Sequence, residues 1–319
     1  MKKTLLTLFT LLLSAATSAD TVLVTLEKDN TLALVDGATL TLIRTVKIGR
    51  RPRDLEFSPD FTRLYVAASD DDTIQILDGN TYEIVGNLPS GEDPETFAID
   101  PSGKRMYVSN EDDNQVTVID LESKKVVKTI AVGVEPEGIA VSPDGRWVVS
   151  TSETTNMAHW IDTQTLEIVH NTLVDPRPRA AFFTADSRQL WVTSEIGSTL
   201  TIIDTGSKEI LKRLHFKIPG VSQALIQPVG VIVDGQRRYG YVALGPANRV
   251  AVIDAQKLEI VAYLLTGKRV WHLAFSTDGK RLFTTNGASH DITVIDTDKL
   301  KPFKSIPVGH YPWGVAVKP

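Results

Sequence analysis

A short hydrophobic segment that ends in aspartate returns at a fixed interval along this chain, and the interval constrains the fold more than any other feature. Clear copies occur at residues 74–78, 116–120, 200–204, 250–254 and 292–296. Weaker copies end at Asp36 and Asp162, so seven aspartates follow one another at spacings of 42 residues, apart from one spacing of 50. A period of about 40–45 residues is that of four-stranded propeller blades.

The repeat that begins near residue 136 shows the internal organisation of each unit. Its apolar runs lie at residues 138–141, 147–150, 158–161 and 166–173. The turn at residues 142–145 reads SPDG, in which proline fixes φ and glycine tolerates positive φ. Four short strands joined by tight turns predict an antiparallel meander. Such sheets bury both faces when they stack side by side in a closed ring.

The two ends of the repeat array are complementary. After residue 19 the chain begins with segments that match the second, third and fourth strands of a unit, at residues 21–25, 31–35 and 41–48. It ends with a lone first strand at residues 313–317. We therefore expect an all-β, single-domain, seven-bladed propeller over residues 20–319, closed by the C-terminal strand joining the N-terminal blade.

Residues 1–19 have the pattern of a secretory signal peptide. Two lysines precede an apolar run at residues 5–13, and small residues at 17–19 offer a cleavage site before Asp20. No membrane span is expected after cleavage. The chain has no cysteine, which excludes disulfides, thiol catalysis, iron–sulfur ligation and covalent haem attachment. A net charge of −5 without a basic stripe argues against nucleic-acid binding.

Several segments resemble the YVTN-type bacterial propeller repeat. They are YVSN at 107–110, YVAA at 65–68, WVTS at 191–194, FTTN at 283–286 and GVEPEG at 133–138. The resemblance covers the whole mature chain. More narrowly, the chain is similar to exported propeller proteins associated with catabolism that depends on pyrroloquinoline quinone (PQQ). This resemblance implies a periplasmic accessory protein whose partner is a quinoprotein dehydrogenase, a cytochrome or a transporter component.

The loops that lead into the first strand of each blade are expected to meet at the tunnel mouth. The residue after each proline position varies in type around the ring, as in a binding rim, whereas a purely structural position would tend to keep one type. Arginines there can bind carboxylates in pairs of hydrogen bonds, and tryptophans offer flat apolar surfaces. PQQ, a planar tricarboxylate, suits this mixture. The predicted ligand-binding residues are Arg51, Arg53, Arg177, Arg179, Arg269, Trp271, His272 and Trp313.

The alternative is that these arginines pair with glutamates of neighbouring blades, Arg53 with Glu95 and Glu137 with Arg179, and plug the tunnel. Exposed ion pairs of that kind contribute only about 0–1 kcal/mol each. Their presence would therefore not imply a function.

A second set of residues makes one sector of the same face acidic. Its members are Asp70, Asp71, Asp72, Glu95, Glu111, Asp112, Asp113 and Glu137. Such a sector can steer a basic partner, for example a small cytochrome. It can also hold Ca²⁺ through oxygen ligands, although the spacing matches no loop motif, or it is simply a solvated surface.

No catalytic motif rises above the background, which favours a non-enzymatic role. The six histidines have no metal-ligand spacing, although His272 near the tunnel could serve as a haem ligand or an acid–base group. A lactonase-like or haem-handling propeller enzyme and a cell-surface scaffold are the alternatives. Eight extra residues near 215–227 form either a partial lid or a passive bulge. The repeated aspartates are interpreted as turn residues.

Overall fold

The computed structural model describes residues 20–319, so the predicted signal peptide at residues 1–19 lies outside the described residues. Within them, 28 strands form seven separate four-stranded sheets in which every neighbouring pair is antiparallel. The predicted fold class, an all-β seven-bladed propeller, is confirmed.

The strands of the first four blades follow one another from the tunnel outwards. Blade 1 contains β28 (Pro312–Lys318), β1 (Thr21–Leu26), β2 (Thr31–Asp36) and β3 (Thr41–Lys47). Blade 2 contains β4 (Pro52–Phe57), β5 (Arg63–Ala68), β6 (Thr73–Asp78) and β7 (Ile84–Pro89). Blade 3 contains β8 (Pro94–Ile99), β9 (Arg105–Asn110), β10 (Gln115–Asp120) and β11 (Lys125–Ala131). Blade 4 contains β12 (Pro136–Val141), β13 (Trp147–Ser152), β14 (Met157–Asp162) and β15 (Glu167–Leu173).

The remaining three blades have the same organisation. Blade 5 contains β16 (Pro178–Phe183), β17 (Gln189–Ser194), β18 (Thr199–Asp204) and β19 (Ile210–His215). Blade 6 contains β20 (Val231–Val233), β21 (Tyr239–Ala243), β22 (Arg249–Asp254) and β23 (Glu259–Leu265). Blade 7 contains β24 (Val270–Phe275), β25 (Arg281–Asn286), β26 (Asp291–Asp296) and β27 (Lys301–Pro307). Short 3₁₀ turns lie at Ser69–Asp71 and Gln223–Leu225. No helix among residues 20–319 is long and apolar enough to cross a membrane.

The C-terminal strand closes the ring, as predicted. In the antiparallel pairing of β28 with β1, Ala316 lies opposite Leu23 and Val317 opposite Val22. Next to this pairing, Val22 and Val24 are completely buried against Phe283 of blade 7. Because the last strand belongs to the first sheet, blades 7 and 1 share a hydrophobic core like the other neighbouring pairs.

The repeated aspartates fix the turn that follows the third strand of each blade. The Asp36 Oδ1 atom accepts hydrogen bonds from the backbone N–H groups of Ala38 (2.8 Å) and Thr39 (2.7 Å). Asp254 does the same with Gln256 (3.0 Å) and Lys257 (2.9 Å). These bonds hold the pKa of both aspartates below the usual value. The geometry agrees with the prediction that the aspartates serve turn chemistry.

Threonine hydroxyls on the second strands connect four of the seven blades to the next blade. The Thr151 Oγ1 atom accepts a hydrogen bond from the Gly138 N–H group of its own blade and donates one to the Arg179 carbonyl of the next, both at 2.9 Å. The same bridge occurs at Thr25, Thr193 and Thr285. A Cβ atom at Gly138 would lie 2.0 Å from the Arg179 carbonyl oxygen, so glycine permits this close approach. The bridges give hydrogen-bond partners to backbone N–H and carbonyl groups of the innermost strands, which would otherwise have none.

The extra residues between blades 5 and 6 form a wedge rather than a lid. Phe216 and Ile226 are almost fully buried in the core that these two blades share. The Ser198 hydroxyl donates a hydrogen bond to the Ile226 carbonyl at 2.7 Å, which anchors the segment from the neighbouring loop. Of this segment, Gln227 reaches the tunnel mouth, where it accepts a hydrogen bond from Arg269 at 2.9 Å.

Candidate functional site

The backbone of the loops at the tunnel mouth is fixed by residues in the left-handed conformation. Asn30, with φ of 53°, accepts a hydrogen bond from the Arg51 N–H group at 3.0 Å. Asn248, with φ of 56°, does the same for Arg269 at 2.9 Å. Asparagine tolerates this conformation better than most residues. The preceding blade therefore places each of these arginines at the mouth.

The seven residues that follow the proline positions form one ring around the tunnel, which we call the tunnel belt. Its members are Arg53, Glu95, Glu137, Arg179, Val229, Trp271 and Trp313. The Arg53 Nε atom lies 3.1 Å from the Glu95 Oε2 atom, and the Arg179 Nη2 atom lies 2.7 Å from the Glu137 Oε1 atom. These are the neighbouring-blade pairs of the plugged-tunnel alternative, and their burial corrects our description of them as exposed. Glu95 is 0% and Glu137 4% accessible.

The other half of the tunnel belt is aromatic. The Arg53 guanidinium lies over the Trp313 ring at 5.0 Å, and that indole stacks against His272 with ring centroids 4.0 Å apart. On the far side, Arg179 lies 6.0 Å from the Trp271 ring centroid. Cation–π contacts of this kind stabilise by about 0.5–2 kcal/mol each. The predicted arginines and tryptophans do come together, but they contact one another.

A second layer of arginines lies above the tunnel belt and is also paired. Arg51 lies between Asp93 and Glu95, with N–O distances of 2.5 and 2.7 Å. Arg177 lies 2.7 Å from Glu153 and 3.2 Å from Glu195. Arg269 lies 3.3 Å from Glu195 and 4.3 Å from the Trp271 ring centroid. Each of the five predicted arginines therefore has a carboxylate within 3.3 Å.

Three of the glutamates in this network were not among the predicted site residues. Glu27, Glu153 and Glu195 directly follow the second strand of their blades, and Glu111 is their equivalent in blade 3. Their positions differ by multiples of the 42-residue period, so the repeat contained a signal for them. Arg179 shows their importance, because it contacts Glu153 and lies 3.9 Å from Glu195 as well as bonding Glu137.

Two further carboxyl groups on β4 line the tunnel and were also missed. The Asp54 Oδ2 atom accepts a hydrogen bond from the Phe97 N–H group at 3.2 Å, and Glu56 accepts one from Ile99 at 3.1 Å. Both donors belong to the innermost strand of the next blade, whose tunnel-side edge has no strand partner. Burial raises the pKa of Asp54 to about 7 and that of Glu56 to about 8. Acidic residues inside an otherwise apolar strand were the available signal.

A compact group of carboxylates lies at the edge of the tunnel belt. Oxygen atoms of Asp93, Glu95 and Glu111 lie within 4.8 Å of one another, and in residues 20–319 this is the one group of three or more with metal-like spacing. Burial and the neighbouring carboxylates Glu137 and Glu95 raise the pKa of Glu111 to about 8. The Arg51 guanidinium already bonds two of the three groups and supplies their positive charge.

The predicted acidic sector divides into an exposed part and a buried part. Asp70, Asp71, Asp72, Asp112 and Asp113 are exposed at the face around the tunnel mouth, and Glu111 is partly buried. By contrast, burial removes two members of the tunnel belt, Glu95 and Glu137, from any surface that a partner protein could contact. We correct their assignment to the partner-binding set.

The tunnel below the belt contains a small cavity of about 130 Å³ between the inner strands of blades 2 to 7. His272 lines it. Burial, with Arg179 and Arg53 nearby, lowers the pKa of His272 to about 3, so this imidazole is neutral at physiological pH. Pockets for drug-sized ligands measure about 300–1,000 Å³, so the cavity does not admit a molecule as large as haem or PQQ.

Comparisons with known proteins agree with the fold. The Cytochrome D1 heme domain family matches residues 62–192, which is less than half of the 319-residue chain. Kuenenia stuttgartiensis hydrazine synthase superposes with a TM-score of 0.77 and 23% identity, over 85% of this chain and 90% of that one. No curated protein sequence matches the chain.

Two other solved structures have the same architecture. The dihydro-heme d1 dehydrogenase NirN, in complex with DHE, gives a TM-score of 0.71 at 16% identity, over 95% of this chain and 76% of that one. A putative 6-phosphogluconolactonase from Bacteroides fragilis gives 0.81 at 16% identity, over 96% and 99%. At these identities the likeness defines the class, a seven-bladed propeller with a fold like that of haem d1 and lactonase-like proteins, and no specific activity.

Proposed function

We propose that this chain is an exported, non-enzymatic propeller of the YVTN type, which acts in a PQQ-linked oxidation system by docking a basic partner protein on its tunnel-mouth face. The candidate partners are a periplasmic quinoprotein dehydrogenase, a cytochrome and a transporter component. The sequence resemblance supports the setting, and the charge distribution of the face supports the mode of action.

One observation carries the proposal: each arginine at the mouth has a carboxylate of this chain within 3.3 Å, whereas the acidic loops beside them are open to solvent. The exposed acidic residues of blades 2 and 3 at this face are Asp70, Asp71, Asp72, Glu92, Asp112 and Asp113. Against them, Arg50 supplies an exposed positive charge and bonds Asp71 at 2.6 Å. A surface with such an excess of one sign steers a partner of opposite sign and accelerates its association.

A small anionic ligand such as PQQ at the mouth is the second candidate. It is favoured by Arg177 and Arg269, whose side chains are 44% and 31% accessible, and by the Trp271 ring beside Arg269. To bind these arginines, a tricarboxylate would compete with Glu153 and Glu195 in a region with an excess of carboxylates. We therefore expect PQQ to bind weakly.

A haem or lactonase-like activity receives less support from the geometry. The family and structures that resemble the fold include haem d1 proteins, but the tunnel cavity is about 130 Å³ and His272 is stacked on Trp313. In residues 20–319 the one metal-like carboxylate group is bonded to an arginine. These features favour binding over catalysis.

The docking proposal is tested with purified tagged protein and periplasmic extract of the native host. We expect capture of a basic partner from the named classes at low ionic strength, identified by mass spectrometry, and its loss at high ionic strength. The double variant Asp70→Lys, Asp112→Lys should abolish capture. Glu209→Lys, a single charge reversal at the exposed turn before β19, is the control for a change of surface charge elsewhere and should capture as the wild type does. Indifference to the acidic-loop variant would reject the proposal.

The exported location is tested separately. Cell fractionation should place the protein in the periplasm, and N-terminal sequencing of the mature protein should begin at Asp20. A cytoplasmic protein that retains residues 1–19 would contradict this part. Titration of the purified protein with PQQ, compared between wild type and Arg177→Ala, decides the second candidate.

A further inference from the structure

The cavity below the tunnel belt has two chemically different walls. One wall is aromatic and apolar and comes from blades 6 and 7, with Val231, Trp271 and Leu273. The opposite wall comes from blades 2 to 5 and carries the charged and polar side chains Asp54, Thr96, Glu137 and Arg179, with Ile139, Ala180 and Ala181 between them. A molecule in this space would contact apolar surface on one side and hydrogen-bonding groups on the other. Small-molecule sites in proteins have this composition.

His272 gives the aromatic wall an open hydrogen-bonding group. Its ring stacks on Trp313, and its backbone N–H group donates to the Thr285 hydroxyl at 3.0 Å. Among residues 20–319, neither ring nitrogen has a hydrogen-bond partner, although the side chain lines the cavity. A neutral imidazole carries one donor and one acceptor. His272 is half-buried and its side chain lines the cavity, so a hydrogen-bonding group of an occupant can reach the open ring.

The charges around the cavity cancel. Glu137 is paired with Arg179 at 2.7 Å. Burial raises the pKa of Asp54 to about 7, and its two oxygens accept the N–H groups of Leu55 and Phe97. Below pH 7, Asp54 is mainly protonated and His272 is neutral, so neither an added anion nor an added cation meets an unpaired group of opposite charge. An uncharged molecule avoids this cost, because a buried charge without a partner is unfavourable.

We propose that the tunnel cavity is a binding site for a small uncharged molecule with a hydroxyl or carbonyl group, of the class of short-chain alcohols and aldehydes. The hydroxyl or carbonyl bonds the His272 ring, and the hydrocarbon part lies against Trp271 and Leu273. A cavity of about 150 Å³ holds a molecule the size of benzene, and this one is of similar volume. The site does not depend on partner docking, because it lies inside the ring.

Three probes of equal chain length test the proposal: n-butanol, butyrate and n-butylammonium. Saturation-transfer NMR on the purified protein should show saturable binding of n-butanol and none of the two ions, and n-octanol should not fit. A crystal soaked in n-butanol should show the alcohol within hydrogen-bond distance of the His272 ring. A cavity that holds only water in the soak, or equal binding of all three probes, would overturn the site.

A variant that preserves the ring stack isolates the hydrogen bond. His272→Phe should weaken n-butanol binding about tenfold, because a buried hydrogen bond is lost. The matched control is His170→Phe on the exposed face of β15, which should leave binding unchanged. If His272→Phe does not fold, the probe series and the soak on the wild type decide alone. Docking variants at Asp70 and Asp112 should not affect this binding, so the two proposals fail independently.

Discussion

The outer turns and the tunnel belt occupy equivalent positions in every blade, yet they obey different rules. At the turns, aspartate recurs in all seven units and accepts a hydrogen bond from the N–H group three residues further on each time. In the tunnel belt the residue type varies, and the charged and aromatic side chains contact neighbours from other blades. A residue that bonds only groups of its own turn can be the same in every repeat. A position at the centre of the ring contacts other blades, so its residue type depends on the neighbours that each blade has.

The largest loss in the free energy of unfolding is expected when a charged side chain of the tunnel belt is removed. Arg179→Ala leaves Glu137 buried without its partner and removes one of the two arginines that bond Glu153. Breaking a buried pair from one side costs about 3–5 kcal/mol, and denaturant unfolding measures that loss. Arg177→Ala is the matched control, because its side chain is 44% accessible and bonds one of the same glutamates. It should cost less than about 1 kcal/mol. Equal losses in the two variants would remove the distinction between the tunnel belt and the layer above it.

The threonine bridges should give an intermediate effect. Thr151→Val leaves the Gly138 N–H and the Arg179 carbonyl without this hydroxyl. A buried group left unpaired costs about 1–3 kcal/mol, which thermal or denaturant unfolding can resolve. Thr45→Val, on the exposed face of β3, serves as control and should stay within about 0.5 kcal/mol of the wild type. A larger loss in the control than in Thr151→Val would contradict the bridging role.

The tunnel carboxyl groups and the turn aspartates should change the stability of the protein in opposite directions as pH rises. In the tunnel, the folded-state pKa of Asp54 is raised to about 7 and that of Glu56 to about 8, so the folded protein binds more protons than the unfolded chain at intermediate pH. Stability then falls as pH rises from the ordinary carboxyl pKa of about 4 towards 8. The turn aspartates have lowered pKa values, so their contribution is present above their ordinary pKa and is lost as pH falls through the folded value.

Unfolding temperatures measured across this range should therefore be highest at mildly acidic pH. The double variant Asp54→Asn, Glu56→Gln should reduce the decline on the alkaline side, where Glu111 with its pKa of about 8 accounts for part of the remainder, and should leave the acidic side unchanged. A decline that persists undiminished in the double variant would show that these carboxyl groups do not cause it.

The smallest effect is expected at the turns themselves. Asp36→Ala and Asp254→Ala should each lower the unfolding temperature by less than Thr151→Val, and by amounts similar to each other, because both side chains bond two local N–H groups. A several-fold difference between these two variants would contradict the view that the turns are interchangeable.

The fold could be predicted in detail, because periodicity is a property of the chain that needs no partner to be seen. Blade number and turn chemistry followed from the recurring aspartates, and closure followed from the complementary incomplete units at the two ends of the array. The tunnel-mouth residues could be placed in one ring by the same spacing. Their contacts could not be derived, since nothing in a repeat tells whether Arg53 turns to Glu95 or to a ligand. The glutamates at 27, 153 and 195 had a periodic signal, whereas Asp54 and Glu56 occur in one blade and have no equivalent.

The docking of a basic partner on the exposed acidic loops is the central claim. Its most direct test measures the affinity of the captured partner for wild type, for Asp70→Lys, Asp112→Lys and for Arg177→Ala, at low and high ionic strength. The claim predicts that charge reversal on the loops abolishes binding, that added salt weakens it and that Arg177→Ala leaves it unchanged. Affinity that is insensitive to salt and to the loop variant but lost in Arg177→Ala would contradict the claim and move the binding site to the mouth arginines.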